Sequence, residues 1–237
     1  MSSTKPTLLH QGERVSMQLD TGTKEFTISI DPNKPPTRRS LKRFIESGQI
    51  TLHECQLPLP SSHEAYPQSL IKKVQELLGP PFKGEATIAI ISIGEALFIT
   101  DIVTVNGAEE FPNVFVPIPP ILSRRGFDIQ LIMTAHTHPQ PNAKNEFTDY
   151  HSPDDYVFLL PPYEALYSMV IGPHYCHILH RNGTIAITAE HFLSSLPQIR
   201  EALPKNQLGP RNKDYREGIF KAMQGIFPEI EEKIITR

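Results

Sequence analysis

Two histidines, His136 and His138, lie two residues apart and offer imidazole nitrogens, which transition metals bind well. Side chains alternate between the two faces of an extended strand, so both imidazoles are expected to point to the same side. A carboxylate from further along the chain would complete three ligands and leave a fourth position open, as in catalytic zinc sites. The spacing also allows a second interpretation, loop histidines without a ligand role, because His-x-His is short and common.

The segment Ser152-Pro153-Asp154-Asp155 follows the histidines and supplies two adjacent carboxylates as candidates for the third ligand. The same four residues also predict a helix start, with Ser152 as the N-cap and Pro153 at the first helical position. A carboxylate there is favourable against the helix dipole. Taken alone, the segment therefore leaves open whether it caps a helix or binds a metal.

The elements around these residues indicate how they are positioned. Residues 128–135 form an apolar run that predicts a buried strand, so the histidines would emerge where a rigid element meets a loop. Upstream, the pattern predicts a helix over 68–78 and strands over 86–92 and 96–105. Downstream, it predicts a short helix over 156–160 and strands over 166–171 and 175–180.

His136-Thr137-His138-Pro139, followed by Ser-x-x-Asp at Ser152 to Asp155, resembles the motif of the JAMM (MPN-type) metalloprotease family. That motif has an upstream glutamate, then His-[Ser/Thr]-His-Pro, a spacer and Ser-x-x-Asp. The order of helices and strands is also similar, and the resemblance covers residues 67–187. The spacer between His138 and Ser152 has thirteen residues and is longer than is typical of the family. Added loop residues cost little free energy and could reshape the entrance to the site.

The resemblance implies a Zn²⁺ ion held by His136, His138 and Asp155, because Asp155 stands in the register of the family's aspartate. It also implies that Ser152 hydrogen-bonds the developing oxyanion, where charge appears only in the transition state. Asp154 would then serve as a charge at the helix start.

A glutamate at the start of a strand is the general base in the family, and the sequence offers two candidates. Glu85 directly precedes the strand predicted over 86–92, which is the family position. Glu95 lies in the turn that follows this strand. Glu85 is therefore favoured, and Glu95 is retained as the alternative.

The function implied by the resemblance is zinc-dependent hydrolysis of a peptide or isopeptide bond, with a protein or peptide as substrate. Family members often cleave the bond that joins ubiquitin or a ubiquitin-like protein to lysine. The alternative is a non-catalytic MPN-type interaction scaffold, because many relatives have lost metal ligands. A zinc-dependent deaminase is excluded, since its Pro-Cys-x-x-Cys motif is absent from this sequence.

Composition and charge limit the binding partners and the cellular compartment that we expect for the protein. The net charge of -3, with both signs interspersed, provides no broad basic surface for nucleic acid. No segment approaches the roughly 20 apolar residues of a membrane helix, and the N-terminus lacks the apolar core of a signal peptide. Two distant cysteines fit a reducing compartment. We expect a cytoplasmic protein, or an exported effector without a cleaved signal peptide.

The expected fold is α+β (α/β/α), with a central mixed β-sheet flanked by helices. An N-terminal extension, residues 1–62, is predicted to contain two strands and a basic helix over 38–46. The JAMM-like domain is predicted over 63–190, and a C-terminal helical extension over 191–237. Two long loops, 107–125 and 139–151, are expected near the site.

Overall fold

The computed structural model describes residues 14–18, 25–31, 33–61, 64–79, 85–105, 127–138, 149–202 and 213–236. The strands are β1 (Arg14–Gln18), β2 (Glu25–Asp31), β3 (Arg38–Ser40), β4 (Gln49–Cys55), β5 (Glu85–Ile93), β6 (Ala96–Thr100), β7 (Ile102–Val105), β8 (Ile129–Thr137), β9 (Tyr167–Ile171), β10 (Tyr175–Arg181) and β11 (Ile230–Thr236). The helices are α1 (Leu41–Ser47), α2 (Gln68–Leu78), a 3-10 helix (Pro153–Leu159), α3 (Ala189–Ala202) and α4 (Lys213–Ile226).

Helices and mixed β-sheet agree with the predicted α+β class at the level of overall content. The chain divides into two compact units, one made of the described residues within Met1–Leu59 and Thr87–Ile132, the other within Pro60–Ala86 and Met133–Arg237. The loop predicted over 107–125, and most of the loop predicted over 139–151, lie outside the described residues.

The first unit contains strands in the order β1-β2-β4-β6-β5, with β7 paired to both β3 and β5. β2 and β4 run parallel, whereas β4 and β6 run antiparallel. Its buried side chains include Ile28, Phe44, Leu52 and Phe98. The two N-terminal strands agree with the alternation in the sequence and pair antiparallel.

Helix α1 begins three residues later than the predicted helix over 38–46. The Ser40 side chain accepts a hydrogen bond from the Arg43 N–H and caps the helix. The preceding residues form β3, which pairs with β7 in parallel. The helix ends at Ser47, one residue beyond the predicted range, and Gly48 caps it with a φ of 58°, which favours glycine.

The single strand predicted over 96–105 is divided into β6 and β7 at Asp101. The Asp101 carboxylate is buried and accepts hydrogen bonds from the Thr37 N–H and Oγ1, and it lies 2.7 Å from His53 Nε2. The Arg39 guanidinium lies 3.2 Å from its second oxygen. These polar partners offset the cost of burying a carboxylate, and they explain a polar residue inside an apolar run.

The second unit contains strands in the order β8-β9-β10-β11. Residues 133–137 of β8 run parallel to β9, whereas β10 is antiparallel to both of its neighbours. Its core contains several large buried side chains. These are Leu70, Val74, Tyr156, Tyr167, Phe192 and Phe227. Parallel pairing of β8 and β9 requires the crossover that contains the 3-10 helix.

Strand β11 was not predicted, since the C-terminal extension was expected to be helical. The extension contains the helices α3 and α4, and β11 follows them. This strand pairs with β10 over seven residues, from Ile230 opposite Arg181 to Thr236 opposite Tyr175. Three consecutive charged residues in β11 mask the period-2 alternation that marks a half-buried strand. The extension therefore contributes a strand to the sheet of the second unit.

None of the helices in the described part of the chain combines the length and the apolar composition needed to cross a membrane.

Candidate metal centre

Strand β8 carries His136, and His138 follows directly after its last residue. His136 lies within the stretch of β8 that pairs with β9, and the N–H of His138 donates to the carbonyl of Ile171 at 3.1 Å. The Nε2 atoms of His136 and His138 are 3.1 Å apart. Both imidazoles therefore point to the same side of the strand, and backbone pairing on β9 fixes the segment that carries them.

Asp155 supplies the third ligand atom from the first turn of the 3-10 helix. Its Oδ2 accepts hydrogen bonds from the Ser152 N–H at 2.7 Å and from the Ser152 Oγ at 2.8 Å. Its Oδ1 lies 3.4 Å from His136 Nε2. The Asp155 carboxylate thus agrees with both predictions for this segment, the helix cap and the metal ligand. One of its oxygens caps the helix, and the other faces the histidines.

The neighbouring carboxylate, Asp154, has a different partner. Its side chain is 44% exposed and forms an ion pair with Arg200 of α3. The structure groups Asp155, and not Asp154, with His136 and His138, and the ligand atoms of these three residues all lie within 4.8 Å of one another.

The donor atoms fit a metal ion. A tetrahedral zinc ion with bonds of about 2.0–2.1 Å holds two ligand atoms about 3.3 Å apart. In this site the two Nε2 atoms are 3.1 Å apart, and His136 Nε2 lies 3.4 Å from Asp155 Oδ1. Burial lowers the pKa of His136 to about 4, and burial followed by the proximity of His136 lowers the pKa of His138 to about 4. Both imidazoles are therefore neutral near pH 7, which is the form that binds metals.

Two further features concern the same three residues. Burial raises the pKa of Asp155, so a nearby cation would offset the cost of its negative charge. The Nδ1 atom of His138 is buried and has no hydrogen-bond partner among the described residues. Metal-binding histidines usually donate this second N–H to a carbonyl or carboxylate. The three donor atoms fit a metal ion, but none of the described residues accepts a hydrogen bond from His138 Nδ1.

Glu85 begins strand β5, and a hydrogen bond ties this end of β5 to the histidines. The N–H of Ala86 donates to Oγ1 of Thr137, the residue between His136 and His138, at 2.9 Å. Burial, and then the negative charge of Asp155, raise the pKa of Glu85 to about 7. Glu85 is thus a half-buried carboxyl group whose pKa responds to the negative charge of Asp155.

Glu95, the alternative general base, is exposed in the turn that follows Gly94 at the opposite end of β5. The geometry around Thr137 favours Glu85. The assignment of the base nevertheless stays a prediction, because it concerns a reaction.

The Ser152 hydroxyl donates its one proton to Asp155. It can reach an oxyanion only by giving up this bond, so the predicted role of Ser152 requires rotation of its side chain. In the ground state Ser152 instead orients the carboxylate that faces the histidines.

Four polar residues near the site were not predicted to act together: His151, Ser168, His177 and Glu232. His151 is 2% exposed, and its ring centroid lies 6.2 Å from that of His136. Its Nδ1 lies within hydrogen-bond distance of His177, and its Nε2 lies within hydrogen-bond distance of Ser168. In the sequence, the one indication of this group was the position of His151 directly before the Ser-x-x-Asp segment. Strand β11, which carries Glu232, was not predicted.

Comparison with models of known protein families, with curated proteins and with solved structures finds no match for this chain.

The raised pKa of Glu85 predicts a pH-dependent gain in stability for Glu85→Gln in metal-free protein. In the unfolded chain the carboxyl ionises near its ordinary pKa of 4.5, whereas in the folded protein it ionises at about 7. Between these values the unfolded state loses its proton first, so rising pH disfavours folding of the natural protein. Glutamine does not titrate. After allowance for solvent screening, Glu85→Gln should gain about 1–2 kcal/mol in free energy of unfolding across this window.

Urea denaturation at pH 4.5 and pH 8 in the presence of a chelator measures this gain. Glu95→Gln is the control, because it removes an exposed carboxyl from the far end of the same strand. A difference between Glu85→Gln and the natural protein that does not change with pH would contradict the burial of this carboxyl group.

Proposed function

We propose that this protein is a zinc-dependent hydrolase of peptide or isopeptide bonds, of the JAMM type. The observation that carries the proposal is the grouping of His136, His138 and Asp155, whose ligand atoms lie within 4.8 Å of one another. Three protein ligands leave one tetrahedral position open, which is the arrangement of catalytic rather than structural zinc sites.

Zinc is the metal best matched to this donor set. Two neutral imidazole nitrogens and one carboxylate oxygen suit a borderline cation, and catalytic zinc sites use this ligand combination. When bound, zinc would supply a Lewis acid that polarises the scissile carbonyl and lowers the pKa of water to about 7. The residues that would hold it are His136, His138 and Asp155.

Glu85 performs the proton transfers in the proposed reaction. Its carboxylate accepts a proton from the water that adds to the carbonyl carbon, and it then donates that proton to the leaving nitrogen as the C–N bond breaks. In the metal-free protein the pKa of Glu85 is about 7, near the working pH, where a carboxyl group can both accept and release a proton. Ser152 donates its hydroxyl to the carbonyl oxygen as negative charge develops there.

The substrate class rests on the motif alone. His-Thr-His-Pro followed by Ser-x-x-Asp resembles the family whose members often cleave ubiquitin or a ubiquitin-like protein from lysine. We therefore propose a protein substrate with an extended C-terminal tail joined to a lysine side chain. The setting that we propose is the cytoplasm, or a host cell that receives the protein as an exported effector.

Isotope incorporation from solvent tests this function directly. Zinc-loaded protein is incubated in H₂¹⁸O with a ubiquitin-like protein joined to lysine, and separately with unstructured peptides. We expect the released carboxylate to carry one ¹⁸O atom, because hydrolysis takes that oxygen from water. Absence of cleavage for every conjugate and peptide by fully zinc-loaded protein would contradict the proposal.

A non-catalytic interaction scaffold remains the alternative function. The buried Nδ1 of His138, which has no partner among the described residues, favours it, because a working metal site usually satisfies this atom. A scaffold should retain little zinc, and it should be indifferent to replacement of Glu85.

A further inference from the structure

Polar side chains form a continuous row from the partly exposed Glu232 of strand β11, through the buried His177, to His151, the residue that precedes Ser152. His177 Nε2 lies 2.9 Å from the Glu232 carboxylate, and His177 Nδ1 lies 3.0 Å from both the backbone nitrogen and the Nδ1 of His151. On the far side, His151 Nε2 lies 2.9 Å from Ser168 Oγ. Both histidines are 2% exposed, so their hydrogen bonds are shielded from water.

The backbone N–H of His151 fixes the direction of every bond in this row. A backbone N–H is always a donor, so His177 Nδ1 must be the acceptor and His177 must carry its proton on Nε2. That proton is donated to Glu232. The Nδ1 of His151 also faces the His177 lone pair, so it must be protonated as well. His151 Nε2 is then an acceptor and receives the Ser168 hydroxyl.

We infer that Glu232 is a positioning residue, which through His177 and His151 holds the Ser152–Asp155 turn in place for metal binding. The inference rests on the proposed function, because it assigns a role in the same site. His151 is joined directly to Ser152, and the Ser152 N–H and Oγ both donate to Asp155. The carboxylate of β11 thus acts on the ligand oxygen without contacting the metal itself.

Loss of the Glu232 carboxylate takes away the acceptor on β11 that faces the His177 Nε2 proton. The proton cannot move to Nδ1 without a penalty, because that atom would then be a donor facing two other donors on His151. Glu232→Ala therefore weakens the hold on the His177 ring at a buried position, which costs free energy and displaces His151. Glutamine at the same position can still accept the Nε2 proton through its side-chain oxygen, so it should preserve the row.

Zinc affinity in three full-length variants tests the inference. Glu232→Ala should weaken zinc binding about 10-fold, at the lower end of the 10–100-fold range for residues that orient metal ligands. Glu232→Gln should bind zinc as tightly as the natural protein. Glu231→Ala is the matched control, because it removes an equal charge from the neighbouring residue of β11, whose carboxylate lies near Asn182 and His180 and not near His177. Competition with a chromophoric chelator measures all four dissociation constants.

Histidine ¹⁵N spectra of metal-free protein provide a readout that does not depend on zinc or on hydrolysis. We expect the Nε2-protonated form of His177 in all three proteins, with the Nε2 resonance shifted most in Glu232→Ala, because its proton has lost the acceptor on β11. Nδ1 protonation in the natural protein would overturn the inference even if no variant folds. Equal zinc affinity of Glu232→Ala and Glu231→Ala would also overturn it. If the natural protein binds no zinc, the proposed function fails, whereas the spectra still decide whether Glu232 accepts the Nε2 proton of His177.

Discussion

Glu85→Gln should keep its zinc and hydrolyse substrate about 10²–10⁴-fold more slowly than the natural protein, which is the usual contribution of a positioned general base. Glutamine has nearly the same shape as glutamate but cannot accept a proton from water. The three metal ligands are unchanged, so the metal content should stay at one zinc per chain. The loss should therefore fall on the chemical step, with kcat reduced more than KM.

Single-turnover kinetics with zinc-saturated protein separates the chemical step from product release. Glu95→Gln is the control and should retain full activity, since this carboxyl lies in the exposed turn at the other end of β5. A fully active Glu85→Gln protein would transfer the role of base to Glu95 or refute the mechanism. Loss of zinc from Glu85→Gln would show instead that Glu85 supports metal binding.

His138→Ala and Asp155→Ala should each abolish zinc retention during purification. Each variant leaves two of the three clustered ligands, and two ligands rarely hold zinc against buffer and dialysis. Zinc binds the folded state, so saturation at about 1,000 times Kd should stabilise the natural protein by roughly 4 kcal/mol. Neither variant should gain this stabilisation when zinc is added.

Elemental mass spectrometry of the untagged proteins, together with thermal unfolding in zinc or in chelator, measures both effects. His191→Ala is the matched control, because it removes an exposed histidine of α3. One zinc per chain in the natural protein and in His191→Ala, with none in the other two variants, is the expected result. The absence of zinc from all four proteins, even after zinc is supplied, would favour the scaffold.

The elements that carry the ligands could be predicted from the sequence because their signals are local. The apolar run before His136 predicted a buried strand, and Ser152 followed by Pro153 predicted a helix start; β8 and the 3-10 helix are found at these positions. The alternation of side chains along a strand was sufficient to place His136 and His138 on one side. Assignment of the third ligand needed the family motif, since Asp154 and Asp155 are chemically identical in the sequence.

The remaining features depend on contacts between distant residues. Asp101 lies between two strands, where its carboxylate contacts Thr37 and His53. Both partners are distant in sequence and belong to the first unit. Glu232 reaches His177 across 55 residues of sequence, from a strand whose charges mask its alternation. No local pattern encodes such pairings, and the ionisation of Glu85 likewise depends on a tertiary neighbour.

Thr137, the residue between the two histidines, restricts how the chain can align as it folds. Its side chain lies on the strand face opposite to the metal ligands, and its hydroxyl accepts the Ala86 N–H. A slip of one residue between these two segments would turn Glu85 to the other face and would leave the buried N–H without an acceptor, at a cost of about 1–3 kcal/mol. The middle residue of His-Thr-His therefore selects against the misaligned pairing, and it joins the start of β5 to the segment that carries the two histidines, although 51 residues separate Ala86 from Thr137 in sequence.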